Sequence, residues 1–588
     1  MKEEGRFLPT SAVEMAALGW NRPDIILVTG DAYVDHPAFG VALIGRLLAA
    51  NGYRVAVLAQ PRHDSHEDFR QFGPPRLFWG ITAGNLDSIV ANYSGNGKVR
   101  DEDHYSPAGN PYFGDLRIKN ERRRPDRATI RYANLARSAY AGVPIILGGI
   151  EASLRRFVHY DYQQNKLRAS VLTDAKSDLL VYGMGERAVL EVAARLANGR
   201  DLAGIAGTCR RLTEAEFARL ATTDTVILPS FAAIMEDMRL FLQAERVIDA
   251  HARALAPTVL AQQQQGLWVV QQPPATPLSS EELDALSSLP FVRKPHPDAG
   301  DVPAYRMIRH SVTIVRGCFG NCSFCAIARH QGPVITSRSV DSVLAEIKRI
   351  TRMDDFHGTI TDLGGPTANL YGLGCRSTGC RRHDCLADGG CRHLVVDEKP
   401  LLTLLDQAAR IPGVKHVFVS SGLRMELLLR TPRLLRQLLT RHTSGAMKIA
   451  PEHTVPHVLR LMHKQKNDVL PAFVELCRKI GQETGSRVAL TPYLISSHPG
   501  CSVADMAQLA EDLARLALVV RQFQDFTPTP GTLSTAMYVS GLDRDTLVPV
   551  HVPRSAGERH RQRNILERAM KPEGRPPRIR TARSRPDR

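Results

Sequence analysis

The stretch Ser311-Val-Thr-Ile-Val315-Arg316-Gly-Cys318-Phe-Gly-Asn-Cys322-Ser-Phe-Cys325 runs from a strand-length apolar segment straight into a turn rich in cysteine and glycine. Five more apolar runs of strand length follow, at 359–363, 416–419, 447–450, 488–494 and 522–526. Helical patterns lie between them, near 338–352, 400–410, 431–440, 468–483 and 503–519. Strands alternating with amphipathic helices specify an α/β fold with a parallel sheet. Six such units are too few for a closed eight-stranded barrel and suit an open, partial (β/α)6 barrel. Barrels of this kind do their chemistry at the C-terminal ends of the strands. The turns there read Arg316-Gly-Cys318, Gly364-Gly-Pro366, Ser420-Ser-Gly-Leu-Arg424, Pro451-Glu-His453, Ser496-Ser-His-Pro-Gly500 and Thr527-Pro-Thr-Pro-Gly531. All are polar and all bear glycine or proline.

The first of these turns sets the chemistry. Of ten cysteines in 588 residues, seven fall between Cys318 and Cys391, too clustered for a disulfide scaffold and, in a reducing compartment, a pointer to metal. Cys209, Cys477 and Cys501 stand apart and read as small core residues. Structural zinc takes four ligands, whereas a four-iron cluster held by three cysteines leaves one iron open to an outside ligand. The C-x3-C-x2-C loop therefore fits an iron–sulfur cluster, the alternative being a zinc loop completed by a residue such as His330.

This spacing, directly after the first barrel strand, resembles the signature of the radical S-adenosylmethionine (SAM) enzymes. The resemblance implies that Cys318, Cys322 and Cys325 hold a [4Fe–4S] cluster whose free iron chelates SAM. It also implies that an electron from the cluster cleaves SAM to a 5′-deoxyadenosyl radical. It further implies an adenine contact from Phe324, and a turn at Gly364 and Gly365 whose backbone meets the SAM amino group. Pro366 stands where the superfamily carries a glutamate-like residue. Ser421, Arg424 and Glu452 are the matching contacts to the ribose and carboxylate of SAM; the alternative for Arg424 is an ion pair on the barrel rim. The first turn, together with Asp362-Leu-Gly-Gly-Pro-Thr-Ala-Asn369, Lys448-Ile-Ala-Pro-Glu-His453 and Ser496-Ser-His-Pro-Gly500, resembles the YgiQ family of radical SAM proteins. That similarity covers roughly residues 20–550 and names a fold and a cofactor but no substrate. It implies an electron donor such as flavodoxin or ferredoxin.

A second group, Cys375-x4-Cys380-x4-Cys385-x5-Cys391, follows the second barrel strand, with His383 and His393 interleaved. So polar a loop has little to bury, and a metal is the physical means of ordering it. Four thiolates complete either a second iron–sulfur cluster or a tetrahedral zinc site.

Ahead of the barrel, apolar runs at 24–30, 53–59, 77–81, 144–147 and 179–182 alternate with helical patterns at 40–51 and 130–140. They argue for a parallel sheet covered on both faces, and the domain resembles the flavodoxin-like, cobalamin-binding modules found ahead of radical SAM domains. Those modules place their histidine in Asp-x-His-x-x-Gly; this chain has Asp35-His36-x3-Gly40. The fold is therefore expected without cobalamin, and the turns at Gly148-Gly149 and Gly183-Met-Gly-Glu186 are candidates for a substrate phosphate. The domains expected are 1–200 (flavodoxin-like), 201–304 (mainly helical connector, with a Gln run at 262–265), 305–550 (partial barrel with a Cys-rich insertion at 370–395) and 551–588 (basic disordered tail).

The net charge is +16, and residues 554–588 hold twelve Lys/Arg against four Asp/Glu, half of that excess. Such a tail can hold RNA through its phosphates, which together with the extra cysteines suggests a methylthiotransferase-like, RNA-modifying relative as an alternative function. A non-catalytic zinc- or RNA-binding protein is the other. No run reaches the eighteen or so apolar residues of a membrane span and the start, Met1-Lys-Glu-Glu-Gly5, lacks an apolar leader. The expectation is a cytoplasmic protein with no membrane partner.

Overall fold

Five residues in a row, Ile25–Thr29, are buried on both faces, as expected of a central parallel strand covered by helices. This computed structural model describes residues 5–114, 118, 121–253, 257–377, 380, 384–386, 390–486 and 488–570. The Ile25–Thr29 strand pairs in parallel with Val55–Ala59 on one side and Phe78–Thr82 on the other. Ile145–Leu147 and Leu179–Val181 extend the sheet in parallel beyond Phe78–Thr82. In chain order the five strands lie 2-1-3-4-5, the flavodoxin arrangement, whose ligand crevice opens beyond the carboxyl ends of the strands.

The sheet does not stop there. Thr208–Leu212, Leu267–Gln271, Leu260–Gln264 and Val226–Leu228 carry it to nine strands. The expectation of a mainly helical connector over 201–304 is corrected in one respect: besides its helices the segment carries strands that complete the first sheet. The polar Gln run misleads because its side chains work as backbone partners. Gln262 Oε1 accepts from the Val158 amide at 3.0 Å and Gln264 Oε1 from the Ser170 amide at 2.8 Å. Both glutamines are fully buried, so two polar residues replace the apolar ones a buried strand would otherwise carry.

The barrel strands pair in sequence order. Ser311–Thr313 runs parallel to Asp362–Gly364, and Thr359–Ile360 to His416–Val417. A parallel bridge from Leu423 to Ile449 leads on to Met447–Glu452, Leu490–Ser496 and Gln522–Asp525. Helices Val340–Ile350, Lys399–Ala409, Pro432–Arg441, Val469–Thr484 and Val503–Arg515 cover the outside. Ile314, Ile347, Leu404, Ile449 and Phe473 belong to the core between the two layers.

The expected disordered tail over 551–588 is corrected in its first part. Ala556–Met570 is a helix that buries Arg559, Gln562 and Leu566. Arg559 donates to the carbonyls of Phe526 at 2.7 Å and Gly95 at 2.9 Å, and Gln562 caps the turn after the fifth strand through Ser497 and Cys501. Polar side chains spent on backbone groups hold this helix, so its basic composition conceals it. Residues 571–588, the rest of the expected tail, lie outside the described residues. Among the described residues, no helix is long and apolar enough to cross a membrane.

The carboxyl ends of the two sheets face each other. A partly buried ion pair, Arg316 Nη1 to Glu186 Oε1 at 2.7 Å, spans them. A cavity of about 600 Å³ lies between, walled by the glycine turns of the first domain and by Arg316, Gly364 and Gly365 of the barrel.

Candidate active site

Local geometry first fixes the cysteine loop. Gly317 has φ +81, and a Cβ there would stand 1.8 Å from the Val334 carbonyl oxygen, so only glycine admits this turn. A Cβ on Gly320 would meet the Arg424 guanidinium at 1.4 Å. The loop is pinned from outside by Ser323, whose amide donates to the Met462 carbonyl at 3.0 Å and whose hydroxyl accepts from Arg544 at 2.7 Å.

Within this frame the three thiols share one loop, though no three metal-ligating side chains are gathered around one point there among the described residues. Burial, and then the proximity of Cys322 and Cys318, push the Cys325 thiol up to about 11. Amides of Ala328 and Ile327 point at the Cys325 sulfur, and the Gly320 amide donates to Cys318 Sγ at 3.4 Å. Arg424 Nη2 reaches Cys322 Sγ at 3.4 Å. Three cysteines met by N–H donors and a guanidinium are a donor set that suits a four-iron cluster, and the raised Cys325 thiol keeps its proton until a metal takes its place. His330, the candidate fourth zinc ligand, turns its Nδ1 to Ser153 Oγ at 3.1 Å instead.

The other candidate residues fall into two groups. Arg424 binds Glu426 at 3.0 Å, and Lys464 lies 3.9 Å from Glu452. Both cations act on Glu452, whose carboxyl burial nonetheless raises above its ordinary value. Glu452 also holds φ +65, unusual for a residue with a side chain. Arg424 therefore does pair with a carboxylate, and faces the cysteine loop as well. Gly364 and Ser421 come together through Asp362, which accepts from Ser421 Oγ at 2.8 Å and from the Ser420 and Ser421 amides at 2.7 and 3.2 Å. A Cβ on Gly365 would stand 2.5 Å from the Val315 carbonyl, so this turn lies flat against the first strand. Phe324 stands apart from these, packed with the cluster around Val458 and Met462 and edge-on to His498 at 6.3 Å.

Sequence reasoning passed over Asp362 and Asn369, although both belong to a motif it quoted. Asn369 exchanges two 3.0 Å hydrogen bonds with the Arg424 backbone and so sets where that guanidinium stands.

Of the second group, Cys375, Cys380, Cys385 and Cys391 are described, whereas His383 lies outside the described residues. Burial, then Cys391, Cys375 and Cys380, push the Cys385 thiol up to about 12. The amides of Ser377 and His393 each donate to the sulfur two residues back, Cys375 and Cys391, at 3.4 Å. Among the described residues, no three His, Cys, Asp or Glu side chains are gathered tightly around one point. A chain of polar contacts joins this loop to the first: Asp384 to His463 at 2.8 Å, His463 to Arg544, and Arg544 to Ser323.

Known proteins share this plan. Residues 7–311 match the family model described as radical SAM N-terminal, and residues 312–513 the radical SAM superfamily. A UPF0313 protein of Geobacter sulfurreducens is 46% identical over 95% of this chain and 92% of its own length. One from Methanocella arvoryzae is 44% identical over 94% and 92%, and one from Thermotoga neapolitana 43% identical over 95% and 98%. Among solved structures, the radical SAM methyltransferase TsrM of Kitasatospora setae aligns over 86% of this chain and 74% of its own, at 16% identity and a TM-score of 0.48. The matches span both domains at well over a third identity, and the chain belongs to the UPF0313, or YgiQ, family of radical SAM enzymes.

Proposed function

We propose that Cys318, Cys322 and Cys325 hold the [4Fe–4S] cluster that membership of this superfamily implies, and that SAM binds beside it and is cleaved reductively. The observation that carries this reading is that a single turn at the end of the first barrel strand bears all three cysteines, with Arg424 Nη2 at 3.4 Å from Cys322 Sγ. When bound, the cluster supplies the electron that splits the SAM sulfonium and releases a 5′-deoxyadenosyl radical to take hydrogen from a substrate. The chain's own part is positional. Arg424 offsets negative charge at the sulfurs, Asp362 fixes the Ser421 hydroxyl, and the Gly364–Gly365 turn gives the SAM amino group access to backbone carbonyls. Glu452, buried beside two cations, is placed to hydrogen-bond a ribose or an ammonium.

We read the second cysteine group as a further metal site, because four cysteines share one polar loop and backbone N–H groups meet the sulfurs of Cys375 and Cys391. A second cluster and a zinc ion are both compatible with four sulfurs.

Anaerobic purification with iron, sulfide and zinc counting, followed by a SAM-cleavage assay under reduction, tests the whole reading. The expected result is 5′-deoxyadenosine from the wild type and none from the Cys318→Ala, Cys322→Ala, Cys325→Ala triple variant. Continued cleavage by that variant refutes it. About eight irons per chain assign a second cluster, and about four irons with one zinc assign the other metal.

A further inference from the structure

We infer that a second cavity, on the flank where the first domain meets the helix Ala556–Met570, is a groove for a single-stranded nucleic acid. Its volume is about 1430 Å³, above the roughly 300–1,000 Å³ usual for small-molecule pockets. Its wall shares no residue with that of the cavity between the two sheets.

One side of the groove is the first-domain loop 94–105, and the other is the start of the helix together with Arg554 and Tyr538. Asn96 Nδ2 donates to Asp525 Oδ2 at 2.6 Å and Arg559 to the Gly95 carbonyl at 2.9 Å, so the loop is tied to barrel and helix alike. Pro528, in the turn after the sixth barrel strand, joins the wall. The groove therefore opens on the same rim of the barrel as the cysteine loop. Lys98, Arg100, His104, Arg554 and His560 are exposed, which leaves it open to solvent.

Charge separates the two cavities. Between the sheets, Arg316 is matched by Glu186 and Arg338 by Glu346. The groove has five Lys/Arg in its wall against three Asp/Glu, and most of its cations are unmatched. Among the described residues, Lys98, Arg100, Arg554 and Arg559 have no carboxylate partner. Arg100 donates to the Tyr93 carbonyl at 3.1 Å, Arg554 to the carbonyls of Tyr538 and Val539 at 2.6 and 2.9 Å, and Arg559 to that of Phe526 at 2.7 Å. Arg559 is only 7% exposed, and its Nε is buried with no partner at all. A guanidinium so enclosed and met only by carbonyl dipoles keeps a charge the fold does not offset, and an anion in the groove supplies the offset. Arg563 is the matched cation, with Asp525 at 3.1 Å and Glu567 at 2.8 Å. Of the three carboxylates, Asp103 is held by Arg124 at 3.0 Å, and Asp101 and Glu102 are exposed at the rim. The sequence beyond the helix extends the positive excess, with seven Lys/Arg against two Asp/Glu over 571–588.

Charge alone would admit any polyanion, and the aromatic residues narrow the choice. Tyr105, Tyr160, Tyr162 and Tyr538 share the wall, with the Arg554 guanidinium carbon 5.6 Å from the Tyr538 ring centre. Cations interleaved with aromatic rings take the phosphates and the bases of one strand together. A duplex is read by a helix or ribbon projecting into its grooves, whereas a concave wall suits a separated strand.

The test uses a fluorescent oligouridylate of roughly twelve nucleotides carrying 4-thiouridine. Its anisotropy with the full-length protein, over about 50–200 mM salt, gives the affinity and the salt slope. The expected slope is about −3 or steeper, from four or more cations meeting phosphates. Lys98→Ala with Arg100→Ala, both at exposed positions, should weaken binding about tenfold and flatten the slope by about 1.4. Photo-cross-links to the wild type should fall on peptides bearing Tyr105, Tyr160, Tyr162 or Tyr538, a location that needs no variant to fold. A duplex of equal length and a polyglutamate peptide should each compete at least about tenfold more weakly than the unlabelled strand. Absence of binding, unchanged affinity and slope in the double variant, or cross-links confined to other peptides would overturn the inference. So would a duplex or polyglutamate that competes as well as the strand.

Discussion

The two cysteine groups carry similar residues on opposite terms. The first is built by the scaffold: a glycine turn with no room for a Cβ, an arginine on one sulfur, and Ser323 tied to two other segments. The second hangs from a two-residue ladder, Gly374–Cys375 against Leu394–Val395, and Cys375 is exposed. The difference teaches that the scaffold shapes the first loop, whereas the second has little scaffold of its own and, on the proposed reading, would draw its order from a metal.

Four substitutions can break or sharpen that contrast. The largest effect belongs to the triad, where any single Cys→Ala among Cys318, Cys322 and Cys325 should drop SAM cleavage to background and remove about four irons per chain, read by iron counting. Next comes Gly317→Ala: a φ of +81 and the Val334 carbonyl in the way together cost of order 1–3 kcal/mol. Lower cluster content after reconstitution should result, with little change in the far-ultraviolet spectrum. Full cluster loading in that variant would show that the loop is not preshaped. Arg424→Met leaves the loop intact and removes its guanidinium, and should lower SAM cleavage by roughly ten- to hundredfold with iron content near normal. Smallest on catalysis is the set Cys375→Ser, Cys380→Ser, Cys385→Ser, Cys391→Ser. It should lose the second metal and several degrees of melting temperature while retaining measurable SAM cleavage. If that set abolishes cleavage, the second site is part of the electron path and not a staple.

Much of this was legible in the chain itself. The five apolar runs of the first domain and the six of the barrel all appear as strands, those of the first sheet because burial on both faces demands unbroken apolar stretches. The strand at Leu260–Gln264 escaped notice because its buried face carries glutamine amides, and only the folded partner, the amides of Val158 and Ser170, makes that tolerable. The Ala556–Met570 helix hid for the same reason, its inward face being Arg559 and Gln562. At the site, the spacing of Cys318, Cys322 and Cys325 announces a cluster, since one turn supplies all three sulfurs. Asp362 and Asn369 act across strands, on Ser421 and Arg424, and no local pattern reveals whom such residues will meet. The link from Asp384 through His463 and Arg544 to Ser323 joins four distant segments and had no sequence signal at all.

The helix near the carboxyl terminus has one further consequence. It lies over the fifth and sixth barrel strands, Leu566 is fully enclosed there, and Arg559 reaches back to Gly95 in the opening third of the chain. A nascent polypeptide emerging from the ribosome cannot make these contacts until residues 556–570 have been made, so the flank beside the last strands waits uncovered until then. Maturation of the enzyme, including any delivery of iron and sulfide, is thereby offered a time window that closes only when the final turn of that helix is made.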